Sequence, residues 1–216
     1  MAYQIDQKMI HDQEPMAEIM PNVITAMSSL LQRVSETNDD LSRPFREHKR
    51  ISAFNAVTKP SISIRSYMER IFKYADCSDS CYIVAYIYLD RFIQKQPLLP
   101  IDSSNVHRLI ITSVLVSAKF MDDLCYNNAF YAKVGGITTE EMNLLELDFL
   151  FGIGFQLNVT ISTYNDYCSS LQREMVMRTM YSPLLEPAFL VRSFHKNLLK
   201  NLYDEDHRNS QVTSAV

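Results

Sequence analysis

Apolar residues recur along this chain at spacings of three and four, the period of a helix with one buried face. The first such stripe is Val23, Ile24, Met27, Leu30, Leu31 and Val34, and it predicts a helix over 21–37, opened at Pro21-Asn22 and ended by Asn38-Asp39-Asp40. Residues 38–60 are polar and charged, with Pro44 and Pro60, and read as a connector. A second stripe follows at Ile64, Tyr67, Met68, Ile71, Phe72 and Ala75. Ser78-Asp79-Ser80 supplies an N-cap for Cys81–Ile93, a run apolar on nearly every side. Its Tyr, Ile and Val content also suits a strand, but about a dozen residues favour a helix surrounded by protein.

Pro97 and Pro100 mark a loop, and Asp102 or Ser103 caps a helix reaching Phe120. The small residues Thr112, Ser113, Ser117 and Ala118 permit close helix packing there. Asn127-Asn128 begins a short helix that stops at Gly135-Gly136. Thr138-x-x-Glu141 is a capping box opening a helix through Phe151. Ser162 or Thr163 caps an amphipathic segment to Arg178, and 183–203 has the pattern of a last helix. The predicted architecture is all-α: a five-helix block over 61–158, an added N-terminal helix at 21–37, and C-terminal helices over 159–203. Residues 1–20 and 204–216 are polar and aperiodic, and are expected to be disordered tails.

Composition narrows the function classes. Apolar residues make up 47% of the chain, enough to build a core. The four glycines all fall between 135 and 154, which suits long helices better than a sheet with many turns. The net charge of −4 gives no domain-wide basic excess, so a nucleic-acid backbone is not the expected partner. Cys77, Cys81, Cys125 and Cys168 form no CxxC pair, which points to a reducing compartment rather than a disulfide framework. The polar start lacks the pattern of a signal peptide, and the apolar run 109–118 is too short to span a bilayer, so no membrane association is expected. Location in the cytoplasm, the nucleus or both follows; the basic cluster Arg46-Glu47-His48-Lys49-Arg50 reads as solvated loop or as a nuclear address.

No frame for catalysis is visible. The chain has no Walker loop, GxGxxG, HExxH or GxSxG, and its five histidines stand singly. Cys77 and Cys81 lie four apart without further ligands in sequence, and Asp122-Asp123 reads as a solvated helix end. No cofactor, metal site or catalytic residue is expected.

Three segments in the five-helix block are more specific. The second helix carries Tyr86-Ile87-Tyr88-Leu89-Asp90-Arg91-Phe92; the third ends Val116-Ser117-Ala118-Lys119-Phe120-Met121-Asp122-Asp123; the fifth carries Leu145-Glu146-Leu147-Asp148-Phe149-Leu150, followed by Phe155-Gln156-Leu157. In order and on successive helices, these resemble the signatures of the cyclin box. The stretches 67–74, 106–114 and 131–137 are similar to plant P-type, or U-type, cyclins, relatives of the fungal Pho80 cyclins.

That resemblance implies a regulatory subunit, not an enzyme, that binds and activates a cyclin-dependent serine/threonine kinase of the PSTAIRE type as a heterodimer. The setting would be cell division or phosphate-linked signalling. Lys119 and Glu146 match the lysine and glutamate with which cyclins hold the kinase near its αC helix, and Phe120, Asp122 and Asp123 flank them. The helix dipole alone would also favour Lys119 at a helix C-terminus, and Glu146 has the alternative of facing water. Asp90 and Arg91 match signature residues that stabilise the fold. The first helix departs from the family: Pro60-Ser61 and Tyr67 stand where a Met-Arg pair and a tryptophan are usual, which leaves Arg65 as a candidate partner for Asp90 and removes the usual substrate-docking patch. The alternative is a cyclin-fold, transcription-related scaffold that activates no kinase; one of the TFIIB kind would show a basic DNA face, a second repeat and a zinc ribbon.

Overall fold

The structure, a computed structural model, describes residues 14–42 and 52–180, and the side chains of 22–42 and 52–175. Seven helices form among the described residues: α1 (Glu14–Ser42), α2 (Ile64–Tyr74), α3 (Asp79–Lys95), α4 (Val106–Met121), α5 (Asn128–Gly135), α6 (Thr139–Gly152) and α7 (Ile161–Met180). No strand occurs among them, so the all-α expectation holds.

Helices α3 and α4 are the central pair. Every residue from Cys81 to Asp90 is buried, as the uniformly apolar run predicts. In α4 the small polar residues satisfy their own hydroxyls: Thr112 donates to the Arg108 carbonyl at 2.7 Å, Ser113 to Ile110 at 2.8 Å and Ser117 to Val114 at 2.9 Å. With no hydroxyl left unpaired, these short side chains let α3 lie close without a desolvation cost. Helix α6 approaches α3 as closely at Gly152, where a Cβ would stand 2.3 Å from the Phe92 ring.

The stripe of α1 is buried throughout, against α2 and α7. The helix itself is longer than 21–37. It begins at Glu14, inside the expected 1–20 tail, and continues to Ser42, inside the expected connector. Asn38, read as a stop, is buried, and its Nδ2 donates to the Ile101 carbonyl at 2.7 Å, while Asp39 accepts from the Ser103 amide at 3.2 Å. These polar residues are tertiary anchors for the α3–α4 loop, so the helix has no reason to end at them. The connector also supplies core: Phe54 is buried, with its ring edge-on to Phe92 at 5.2 Å. Residues 43–51 and 181–216, including the basic cluster, the whole of the expected last helix at 183–203 and the 204–216 tail, lie outside the described residues, as do 1–13.

Local signals set the other boundaries. The Thr138–Glu141 capping box is present in full. Helix α5 ends at Gly136, in the left-handed region at φ 72°, which a glycine adopts without strain. Two caps differ from expectation. Asp102 caps the turn before α4, accepting from the Ser104 amide at 2.8 Å, and Asn105 takes the N-cap position. For α7 the cap is Thr160 rather than Ser162 or Thr163, its hydroxyl accepting from the Thr163 amide at 3.1 Å.

Candidate functional site

Helix α4 leaves the core at its last turn. Residues 109–118 are buried, and Lys119, Phe120 and Met121 emerge. Helix α6 passes beside that exit with Met142, Leu145 and Phe149 turned inward, which sets Glu146 on the flank towards α4 and α5. The two elements bring together residues 27 apart in sequence: Lys119 Nζ donates to Glu146 Oε1 at 2.7 Å. Asn128, in the first turn of α5, donates to the other carboxylate oxygen at 2.7 Å, and also to Asn143. The ion pair is partly shielded, its side chains 34% and 18% exposed.

Around the pair lies an apolar surface. Leu144, Leu147 and Phe151 follow the same helical spacing as the buried residues of α6, on its opposite side, and all are exposed, Phe151 to 66%. Phe155 stands edge-on to Phe151 at 5.2 Å, and Phe120, Met121 and Leu124 add exposed apolar area from the end of α4, Leu124 at 90%. A helix apolar on both faces, with only one covered, marks a surface made for contact. The sequence motifs identify Lys119, Phe120 and Glu146. They miss Asn128 and the outer stripe of α6, for which the signal is the unbroken apolar character of 144–151 around Glu146 and Asp148.

The two aspartates after α4 separate. Asp123 is exposed. Asp122 turns back to the start of α3, accepting from the Ser78 amide at 3.0 Å and from the Cys81 thiol at 3.4 Å. Burial pushes its carboxyl up, but the Ser78 hydroxyl and amide and the Cys81 thiol together hold it below the usual carboxylate value. Asp122 therefore ties the end of α4 to the α2–α3 link.

Asp90 and Arg91 work elsewhere. Asp90 is buried, and Tyr167 of α7 and Gln94 donate to its Oδ2. Burial raises its carboxyl above the ordinary value, against those hydrogen bonds and the Arg91 charge. Arg65 is not its partner: it is exposed and pairs with Glu69 at 2.9 Å, one turn along α2. Arg91 donates to the carbonyls of Gln156 at 2.6 Å and Asn158 at 2.9 Å, and Tyr88 donates to Leu157 at 2.7 Å, so α3 pins the link from α6 to α7. Tyr67 is not a surface residue of the first box helix. It is buried, with its hydroxyl donating to the Gly135 carbonyl at 3.0 Å, and of the three divergent positions 60, 61 and 67 Ser61 alone is exposed. His107 is buried as well, its Nε2 3.0 Å from the Ile62 carbonyl. No group of three or more His, Cys, Asp or Glu stands together as a metal site among the described residues, and no helix there is long and apolar enough to cross a membrane.

Comparison with known proteins agrees with this geometry. The family profile described as Cyclin matches residues 13–157. Cyclin-U4-3 of Arabidopsis thaliana is 65% identical over 223 residues, covering 100% of both chains. Cyclin-U4-1 of the same plant is 59% identical, covering 79% of this chain and 84% of its own, and Cyclin-P4-1 of Oryza sativa subsp. japonica is 58% identical, covering 74% and 76%. With the five-helix block α2–α6 built on a buried α3–α4 pair, and the profile spanning it together with α1, the chain belongs to the cyclin family.

Proposed function

We propose that this chain is a regulatory subunit that binds and activates a cyclin-dependent serine/threonine kinase of the PSTAIRE type, forming a heterodimer through the surface of α4, α5 and α6. Membership of the cyclin family supports the regulatory role. The observation that carries the finer reading is the Lys119–Glu146 pair beside an uncovered apolar face. Leu144, Leu147 and Phe151 would bury a partner helix. Lys119 and Glu146 would exchange their mutual bond for backbone groups at that helix: the ammonium donating to carbonyls, the carboxylate accepting from amides. Asn128 holds Glu146 in place while that exchange occurs.

Docking there fixes the kinase αC helix, so that its glutamate pairs with the nucleotide-binding lysine and the active site is complete. The chain itself contributes no catalytic group. Phe120, Asp122 and Asp123 extend the contact at the end of α4, and Asp90 and Arg91 hold the scaffold behind it. The complex would act in the cytoplasm, the nucleus or both, in cell division or in phosphate-linked regulation of the Pho80 kind.

The test mixes the purified chain with a panel of purified cyclin-dependent kinases and measures complex formation and phosphorylation of a generic peptide. Binding with a gain in kinase activity supports the proposal. Binding without activation favours the scaffold alternative, and no binding to any PSTAIRE-type kinase overturns the partner assignment.

A further inference from the structure

Helices α1 and α2 border a cleft of about 210 Å³ that shares no residue with the α4–α6 surface. Thr25, Ser28, Ser29 and Arg33 line it from α1, at the spacing of one helical stripe, and Ser63 and Arg65 line it from the start of α2. None of the lining side chains is acidic, although the chain as a whole carries a net charge of −4. Two of the hydroxyls direct their protons inward: Ser28 donates to the Thr25 carbonyl at 3.0 Å, and Ser63 donates to the Ser66 hydroxyl at 3.0 Å. Ser29, half-buried, and the two guanidiniums have protons to give to a ligand.

Neither arginine is saturated by its carboxylate, because a guanidinium carries five N–H donors. Arg33 meets Glu174 through a terminal nitrogen, and its Nε is buried with no hydrogen-bond partner. A buried donor of that kind costs stability until an acceptor reaches it. Arg65 meets Glu69 through Nε at 2.9 Å, but both side chains are more than half exposed, and such a pair holds weakly. Arg65 also stands in the first turn of α2, which contains no acidic residue, so the positive end of the helix dipole reinforces its charge.

We propose that this cleft binds a phosphoserine or phosphothreonine carried on a peptide, so that the chain selects proteins already bearing a phosphate. Donors from two helices call for a ligand with several acceptor oxygens. A carboxylate offers two, whereas a phosphate monoester offers three and carries more charge at neutral pH. The α1 stripe from Thr25 to Arg33 runs about 12 Å at the helical rise, longer than a phosphate group, which leaves room for the peptide on either side of it. Binding the phosphate needs no kinase; that the bound protein is then a substrate rests on the kinase-activating reading above.

The experiment therefore uses the full chain alone, titrated into fluorescein-labelled peptides and followed by polarisation. The peptides share one sequence with no other charged residue and hold phosphoserine, serine or aspartate at the central position; inorganic phosphate is the competitor. The phosphoserine peptide should bind more tightly than the other two by roughly tenfold or more, and less tightly as salt is added. Arg33→Gln and Arg65→Gln should each remove most of that preference. Arg70→Gln should keep it: Arg70 is exposed on the same helix, donates to the Lys133 carbonyl at 3.2 Å and does not line the cleft. Melting curves check each variant, and if Arg33→Gln fails to fold through loss of its bond to Glu174, the exposed Arg65 decides. Equal binding of the three peptides, or a preference that survives Arg65→Gln or falls equally in Arg70→Gln, would overturn the proposal. Inorganic phosphate bound as tightly as the phosphopeptide would overturn it too, by showing a site for the free ion alone.

Discussion

Removing either member of the Lys119–Glu146 pair separates what the pair does for the fold from what it does for a partner. With side chains 34% and 18% exposed, the bond stabilises the monomer only as partly screened ion pairs do, by about 0.2–1 kcal/mol. In a chain of this size that shifts a melting midpoint by roughly 2–4 °C at most. Glu146 also keeps Asn128 when Lys119 is truncated, so no buried charge is stranded. In a complex the cost differs, because a backbone group of the partner would be left unpaired in a contact closed to water. That costs on the order of 2–5 kcal/mol, which is roughly thirtyfold or more in affinity. Lys119→Ala and Glu146→Ala should therefore melt nearly as wild type and lose most kinase binding in a titration. Asp148→Ala, exposed on the same helix, is the control and should bind normally. The charge swap Lys119→Glu/Glu146→Lys is the decisive variant: it restores an intramolecular pair but presents each backbone group with the wrong charge. It should melt like wild type and still fail to bind. If the swap rescues binding, the pair only props α4 against α6; if both single variants bind like wild type, it has no part in the contact at all.

Three further outcomes follow from the packing. Phe54→Ala should destabilise the chain by about 3–5 kcal/mol, measured by urea unfolding, since its buried ring packs edge-on against the stacked pair Phe92 and Phe149; a loss below about 1 kcal/mol would mean the connector does not build the core. Leu30→Asp should sharply lower soluble yield and melting temperature, while Gln32→Asp, exposed on the other side of α1, does little; equal tolerance would mean that α1 does not need its packing against α2 and α7. Asp90 has a folded-state value raised above its ordinary 3.8, so its contribution to stability is greatest below that value and declines as pH rises through the folded-state value. Asp90→Asn keeps an oxygen for Tyr167 and Gln94 and removes that decline; its stability relative to wild type should grow from acidic to neutral pH in unfolding titrations, and a constant or shrinking difference would contradict the buried-carboxylate reading.

The helices were legible because each buries one side, and burial of one side writes a period into the sequence. Val23 to Val34, Ile64 to Ile71 and the unbroken run from Cys81 mark α1, α2 and α3. What escaped is whatever a period does not encode. Phe54 is a single aromatic in a polar stretch, and nothing around it distinguishes a core plug from an exposed loop residue. Asn38 carries the local chemistry of a helix stop, and only the Ile101 carbonyl, 63 residues away, makes it a buried donor instead. Asp90 announces a buried partner without naming one. Tyr167 and Arg65 are equally available in sequence, and the packing of α7 on α3 selects the tyrosine.

The site was legible in a different way. Lys119 and Glu146 stand out by resemblance to family motifs, but their bond to each other depends on α6 crossing the exit of α4, a tertiary relation. The physical signal of the surface was nonetheless in the sequence. From Leu144 to Phe151 only Glu146 and Asp148 are charged, so α6 cannot hide all its apolar residues against a core that lies on one side of it. Met142, Leu145 and Phe149 take the inner face and Leu144, Leu147 and Phe151 are left outside. Such a face is an aggregation hazard unless something covers it. The charges beside it would make that cover selective: apolar area alone would accept any greasy helix, whereas an ammonium paired with a carboxylate that Asn128 also holds would demand carbonyls and amides at matching positions.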